Sequence, residues 1–323
     1  MIIERAVTNF EEEELLAPFG FKGGAMNRIW QYSVYLKTRE GQEAVGVGCQ
    51  GVLWSDAKVF ADHSPSAGCA MMYLVTEYAA KLLEGRSFET PWEAFDFLLP
   101  RAVKYAADIT GKKDLRLTFV LNALVGVDQA LWQLYFKMDQ ASSLEQLLPE
   151  NIKNALGYKT SRIGVIPLVS YGVSMKEVKN LADQGFFFFK IKIGADPDRD
   201  GNPEKMLAWD KERIWRIHQT LKDIKTPETE SGRILYYLDA NGRYDHLERI
   251  KELLDYAGEI GMLERIVVLE EPFAEENTCD VRGLPVMVAA DESAHSPEDV
   301  KKRIALGYRA IALKPIAKTL TVT

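Results

Sequence analysis

Two lysines occupy alternate positions in an apolar segment of the chain. In the run FFKIKI, Lys190 and Lys192 would project from the same face of a strand, because successive strand side chains point to opposite faces. Two ammonium groups on one buried face are costly. Taken alone, the segment therefore favours a strand end at which both lysines reach solvent.

Acidic residues end the next three apolar runs and change this interpretation. Asp239 lies in LDAN, Glu270 in LEEP and Asp291 in ADES, each directly after a short apolar run. Any one of these acids could be a helix cap or a solvated loop residue. Chance is a poor explanation for three acids that occupy the same position after three consecutive apolar runs. If the runs are parallel strands, the carboxylates meet at the carboxyl-terminal edge, where barrels place their sites. Oxygen ligands of this kind suit Mg²⁺.

The chain from about residue 160 onward alternates short apolar runs with amphipathic stretches, which predicts a parallel sheet with right-handed crossovers. The predicted strands are 165–173, 186–193, 233–239, 266–270, 286–290 and 310–314. The predicted helices are 175–184, 203–222, 247–261 and 296–306. Lys314 ends the sixth strand, and in a barrel it would face Lys192 from the opposite side.

A closed barrel needs eight strands, and only six can be counted here. A barrel lacking two strands would leave two unpaired edges. We therefore expect the chain to be a truncated product of a longer gene or, if complete, an inactive protein or one that depends on a partner.

The residues before about 115 are predicted to form a separate α+β region. Its predicted strands are 2–10, 30–37 and 43–49, and its predicted helices are 70–84 and 92–107. A further helix is predicted just beyond it, at 119–138. Two glycine-containing segments, 17–27 and 50–66, are predicted as loops. They could be plain surface connections or a lid over a site.

Together these motifs resemble the enolase superfamily, and within it the mandelate racemase/muconate lactonizing enzyme family and its dipeptide-epimerase-like group. The motifs that carry the resemblance are KIK at 190–192, DAN at 239–241, EEP at 270–272, DES at 291–293, Lys314, and NALVGVDQALWQL at 122–134. The resemblance implies an α/β fold in which residues 1–115 form an N-terminal capping domain and residues 116–323 form a modified (β/α) TIM-type barrel that stops after strand six.

The resemblance also implies a role for each matched residue. Asp239, Glu270 and Asp291 would bind Mg²⁺. Asn241 and Glu271 would support and orient these ligands. Lys192 and Lys314 would be the two acid/base groups, and Lys190 would stabilise the developing anion. Weaker candidates for substrate contact are Phe19, Lys22, Ser170 and Tyr171, all of which could equally be packing or solvated residues.

The implied reaction removes a proton α to a carboxylate and passes through an enediolate. Burial, a neighbouring lysine and Mg²⁺ would each lower the pKa of a lysine base. A lysine on each face of the substrate permits racemisation or epimerisation, of an amino-acid derivative or a dipeptide. The open alternatives are a lyase or cycloisomerase that uses one lysine, and a catalytically inactive barrel.

Composition narrows the class of protein and the kinds of partner that the chain could have. The chain has 323 residues, is 47% hydrophobic and 27% charged, and carries a formal net charge of −7, which is typical of a globular protein and argues against nucleic-acid binding. We find no signal peptide and no apolar run long enough to cross a bilayer. Three widely spaced cysteines suit a reducing cytoplasm. We expect a cytoplasmic homo-oligomer that acts on a small-molecule carboxylate, without membrane partners.

Overall fold

The computed structural model describes residues 1–21, 24–155, 157, 160–294 and 296–313. The chain forms two compact units. One contains the described residues of Met1–Lys159, and the other is Thr160–Leu313.

An antiparallel sheet of three strands organises the first unit. Its strands are β1 (Ile3–Phe21), β2 (Gly24–Thr38) and β3 (Glu43–Gln50), in the order β1-β2-β3. All three predicted strands are present. The expected loop at 17–27 is wrong, because β1 continues to Phe21 and β2 begins at Gly24, with Phe19 opposite Met26 and Phe21 opposite Gly24. Pairing between the two backbones extends the strands beyond the apolar alternation that predicted them.

Eight helices complete the first unit. They are α1 (Val52–Ser55), α2 (Ala57–Asp62), α3 (Pro65–Leu83), α4 (Pro91–Thr110), α5 (Leu117–Ala123), α6 (Val125–Met138), α7 (Leu144–Leu147) and α8 (Glu150–Ala155). The expected loop at 50–66 is wrong as well, since it contains α1 and α2. Val52 and Leu53 are buried there, and the Asp56 carboxylate caps α2 by accepting from the backbone N–H groups of Lys58 and Val59.

Helices α5 and α6 pack with the antiparallel sheet and belong to the first compact unit. Gly46 of β3 lies against Gly126 of α6 so closely that a Cβ on Gly46 would be 1.8 Å from the Gly126 carbonyl oxygen. Among the described residues, no single helix is long and apolar enough to span a membrane, although α5 and α6, bent by 49°, would qualify together by length and composition.

A parallel sheet of six strands forms the centre of the second unit, with the strands in sequential order. They are β4 (Leu168–Val169), β5 (Phe188–Lys192), β6 (Leu235–Asp239), β7 (Ile266–Glu270), β8 (Met287–Ala290) and β9 (Ala310–Ile311). The number and order of the strands are as predicted. The outer strands β4 and β9 are shorter than predicted, since in the described residues each pairs on one side only.

The two faces of this sheet differ in character. One face carries apolar residues that are no more than 1% exposed, including Val169, Ile191, Leu238 and Leu269. The opposite face carries Lys190 and its register neighbours. Helices α9 (Met175–Asp183), α10 (Pro203–Leu221), α11 (Leu247–Glu259) and α12 (Pro297–Ala305) follow the strands, with a 3₁₀ turn at Leu263–Arg265. The apolar face and the helices share one hydrophobic core.

A buried histidine in this core makes stability depend on pH. His218 on α10 is 2% exposed, and its Nδ1 lies 3.1 Å from the Tyr236 hydroxyl. Burial, followed by the positive charges of Arg265 and Lys222, lowers the pKa of His218 to about 4. As the pH falls below about 6.5, the unfolded chain takes up this proton before the folded chain does. The free energy of unfolding should therefore fall between pH 6.5 and 4, by at most about 3 kcal/mol from this residue.

Urea unfolding at pH 7 and pH 4.5 measures this effect. His218→Gln keeps a polar partner for Tyr236 and does not titrate, so its loss of stability over the same range should be smaller. Equal losses in the two proteins would show that His218 contributes nothing to the acid sensitivity.

Candidate active site

Strand register brings three of the predicted residues into one row. Lys192 of β5 pairs with Asp239 of β6, and Asp239 pairs with Glu270 of β7. Paired residues of a parallel sheet point to the same face, so all three side chains share one side at the carboxyl-terminal edge. Glu270 pairs in turn with Ala289 of β8. Asp291 follows two residues later, beyond the end of that strand.

Direct contacts join the lysines to the acids. The Lys190 ammonium donates to Glu270 Oε2 and lies 2.9 Å from Asp239 Oδ2. The Lys192 ammonium donates to Asp239 Oδ2 at 2.7 Å and to the side-chain oxygen of Asn241. The carboxylates are at most 1% exposed, whereas the Lys190 and Lys192 side chains are 26% and 12% exposed. The two cations that looked costly in the sequence are thus paired with buried anions.

The contacts between the lysines and the carboxylates shift the pKa values of Lys190 and Asp239. Burial opposes the charged form of Lys190, but the charges of Asp239 and Glu270 outweigh it and raise the Lys190 pKa above its usual value. Burial also opposes ionisation of Asp239, yet Lys192 and Lys190 together lower its pKa. The contacts therefore favour the charged forms of Lys190 and Asp239.

Asn241 connects the ends of two strands. It adopts a left-handed backbone, with a φ of 45°, which asparagine tolerates better than most residues. Its backbone N–H donates to Asp239 Oδ1 at 3.1 Å, and its amide nitrogen donates to Glu292 Oε1 at 3.0 Å. Its side-chain oxygen accepts from Lys192, so Asn241 orients both a lysine and an acid.

Glu271 turns away from the neighbouring Glu270 and supports the next strand end. Its Oε2 accepts from the Asp291 backbone N–H at 2.6 Å and from the Ser293 hydroxyl at 3.0 Å. Glu271 has a φ of 40°, which costs a non-glycine residue about 1–3 kcal/mol and is most often kept at functional sites. Burial raises the pKa of Glu271.

The donor set suits a hard divalent cation in part. Asp239 and Glu270 already share one cationic group, the Lys190 ammonium, and within the described part of the chain the buried Glu270 Oε1 has no hydrogen-bond partner. An ionised carboxylate with an unused oxygen is suited to coordinate a metal ion. Among the described residues, no three His, Cys, Asp or Glu side chains lie close enough together to hold a metal ion. Two of the predicted ligands thus meet, and Asp291 does not complete the set in this arrangement.

Of the other predicted residues, the structure describes Phe19, Ser170 and Tyr171. Lys314 and Lys22 lie outside the described residues. Phe19 belongs to β1 in the first unit. Ser170 and Tyr171 follow β4, and the Tyr171 hydroxyl donates to the backbone carbonyl of Ile193 at 3.0 Å, so this phenol has a structural partner.

Tyr237 also belongs to this cluster, although it was not among the residues predicted from the sequence. Tyr237 lies two positions before Asp239 on the same face, and the Lys190 ammonium is 5.0 Å from the centre of its ring. Burial, followed by the charge of Glu270, raises the pKa of Tyr237 above its usual value. The alternation that placed the two lysines on one face would also have placed Tyr237 beside Asp239.

Comparisons with known proteins identify the fold. No family profile matches the sequence, and no curated protein matches it. A mandelate racemase/muconate lactonizing protein from Herpetosiphon aurantiacus has a TM-score of 0.67 and 17% identity, covering 99% of this chain and 76% of that chain.

Two dipeptide epimerases share the fold as well. The enzyme from Cytophaga hutchinsonii, complexed with Mg and the dipeptide D-Ala-L-Val, has a TM-score of 0.66 and 18% identity, covering 99% of this chain and 73% of that chain. The enzyme from Enterococcus faecalis, complexed with Mg and L-Leu-L-Tyr, has a TM-score of 0.64 and 17% identity, covering 98% of this chain and 75% of that chain. The chain thus has the mandelate racemase/muconate lactonizing enzyme fold, which confirms the predicted fold class.

Proposed function

We propose that the protein is a Mg²⁺-dependent enzyme that removes a proton α to a carboxylate, and that it racemises or epimerises an amino-acid derivative or a dipeptide. The observation that carries the proposal is the row formed by Lys192, Asp239 and Glu270 at the carboxyl-terminal edge of the parallel sheet, with Lys190 contacting both acids. Proton-transfer groups and hard oxygen donors converge there on a fold shared with dipeptide epimerases.

In this proposal, Asp239, Glu270 and Asp291 would hold Mg²⁺. When bound, the ion would supply positive charge that stabilises the anion formed as the α proton leaves. The unused Glu270 Oε1 and the shared cation contact of Asp239 and Glu270 support the assignment of these two. Asp291 would have to approach them.

The lysines would move the proton. Lys192 would remove or return the proton at the α carbon, and it would have to be neutral to act as a base. Asn241 orients Lys192 through its side-chain oxygen. Lys190, kept charged by its acidic neighbours, would stabilise negative charge on the substrate carboxylate. Lys314 would act from the other side of the substrate.

A lyase or cycloisomerase is the second candidate, because elimination and lactonisation need the same anion and only one lysine. The dipeptide complexes of two structures with this fold favour the epimerase. A cytoplasmic location and a homo-oligomeric assembly stay predictions from the sequence.

Deuterium wash-in tests the proposal. The protein would be incubated in D₂O with Mg²⁺ and a panel of dipeptides, N-acylated amino acids and sugar acids, and α-carbon deuteration followed by NMR and mass spectrometry. We expect exchange with at least one dipeptide or N-acylated amino acid, and loss of exchange when EDTA is added.

Conversion without α-deuteration of the remaining substrate, accompanied by loss of water or by ring closure, would favour the lyase or cycloisomerase. No exchange with any carboxylate, in a protein whose melting temperature does not respond to Mg²⁺, would favour the inactive barrel and end the proposal.

A further inference from the structure

Helix α10 turns two charged residues into the interior of the second unit. Asp210 is 0% exposed and Arg213, three residues later, is 6% exposed, on a face that also carries the buried Met206, Ile214 and Ile217. Charged side chains are rarely buried to this degree unless they have specific partners. The partners of both residues are backbone and side-chain groups at the ends of β4 and β5 or in the segments that follow β4, β5 and β6.

Asp210 links the chain after β5 to the chain after β6. Its Oδ2 accepts from the Gly194 backbone N–H at 2.7 Å and from the Tyr244 hydroxyl at 2.6 Å. Gly194 lies two residues beyond Lys192, and Tyr244 lies three residues beyond Asn241. One buried carboxylate therefore fixes the two segments that position the candidate base and its orienting amide.

The geometry at Gly194 leaves little freedom. Its φ is +80°, and a Cβ there would lie 2.6 Å from Cβ of Arg243. The Gly194 carbonyl accepts from Arg243 Nε at 3.2 Å. Both backbone polar groups of this glycine are thus held, the N–H by Asp210 and the carbonyl by the segment after β6.

Arg213 secures the end of the preceding strand. Its guanidinium donates to the Val169 carbonyl at 3.2 Å, to the Tyr171 carbonyl at 3.2 Å, and to the Ser170 carbonyl. The Tyr171 hydroxyl in turn donates to the Ile193 carbonyl. Through two residues one turn apart, α10 fixes the carboxyl-terminal ends of three consecutive strands.

We propose that Asp210 is a positioning residue that sets the orientation of Lys192 for proton transfer by holding Gly194 against Tyr244, with Arg213 fixing the adjacent end of β4. This rests on the proposed function of Lys192. Packing of α10 against the sheet would need only apolar residues at these positions. A carboxylate that accepts hydrogen bonds from two strand-end segments instead constrains how those segments are oriented. Small displacements of a catalytic group lower the reaction rate strongly.

Selective amine labelling tests the orientation without any substrate. The metal-free protein would be treated with a trace of acetic anhydride, and acetylation of Lys192 and Lys190 would be measured by mass spectrometry relative to Lys179. Lys179 is a solvent-exposed lysine on α9 that pairs with Asp183. The variants are Asp210→Ala, which removes both hydrogen bonds, and Asp210→Asn, which retains an acceptor of the same shape.

We expect Asp210→Ala to raise the relative labelling of Lys192 severalfold, with a smaller change at Lys190, and Asp210→Asn to restore most of the wild-type ratio. For a substrate found by deuterium wash-in, kcat of Asp210→Ala should fall about 10- to 100-fold with little change in KM. An unchanged Lys192 labelling ratio in folded Asp210→Ala would overturn the proposal.

If Asp210→Ala does not fold, Tyr244→Phe removes one of the two hydrogen bonds and should raise Lys192 labelling by a smaller amount. No rise in that variant would equally overturn the proposal. No exchange with any carboxylate together with no response to Mg²⁺ in the wild-type protein would refute the function assigned to Lys192, whereas the labelling ratios would still decide whether Asp210 orients it.

Discussion

Lys192→Ala is expected to abolish α-proton exchange on any substrate that the wild-type protein deuterates. Besides Lys190, Lys192 is the only described lysine that contacts Asp239 or Glu270. The side-chain oxygen of Asn241 orients Lys192. Loss of a positioned acid/base group lowers rates by about 10²- to 10⁴-fold. The rate of deuterium incorporation in D₂O, measured by NMR at saturating Mg²⁺, checks this expectation.

Two further variants separate proton transfer from charge. Lys192→Arg keeps a cation beside Asp239, but a guanidinium stays protonated, so this variant should also lose exchange. Lys179→Ala removes a solvent-exposed lysine of the same compact unit and should exchange at the wild-type rate. Exchange retained in Lys192→Arg would show that Lys192 supplies charge rather than accepting a proton.

Glu270→Gln is expected to remove most of the stabilisation that Mg²⁺ gives to the folded protein. Glu270 is 0% exposed, and its Oε1 has no hydrogen-bond partner among the residues that the structure describes, so the carboxylate has an oxygen available for a cation. For the wild-type protein, Mg²⁺ at 100 times its Kd should raise the free energy of unfolding by about 2.7 kcal/mol. The amide introduced by the substitution carries no charge and should lose most of that gain, measured by urea unfolding with and without Mg²⁺.

A surface carboxylate provides the matched control. Glu259 is an exposed residue at the end of α11, and Glu259→Gln should respond to Mg²⁺ as the wild type does. Equal stabilisation of wild type and Glu270→Gln by Mg²⁺ would remove Glu270 from the metal site. Stability without Mg²⁺ should be compared as well, because Glu270→Gln leaves Asp239 as the remaining acid that contacts Lys190.

The sequence alone determined the order of the parallel strands and the position of the acids within them. Periodicity located β7 at its observed bounds and placed Asp239 and Glu270 at strand ends. These features could be predicted because alternation along a strand and the shared edge of a parallel sheet follow from local geometry. The long hairpin of β1 and β2 could not be predicted, since its outer half is held by pairing rather than by apolar alternation.

Only the tertiary structure decided how the charged groups are paired. Lys190 has a raised pKa because Asp239 and Glu270 approach it from neighbouring strands. In the sequence, Asp210 is one of several charged residues in a predicted helix. Only the folded structure brings Gly194 and Tyr244 within hydrogen-bond distance of its carboxylate. Electrostatic interactions depend on the distance and burial of groups far apart in the chain, and those quantities exist only once the strands are side by side.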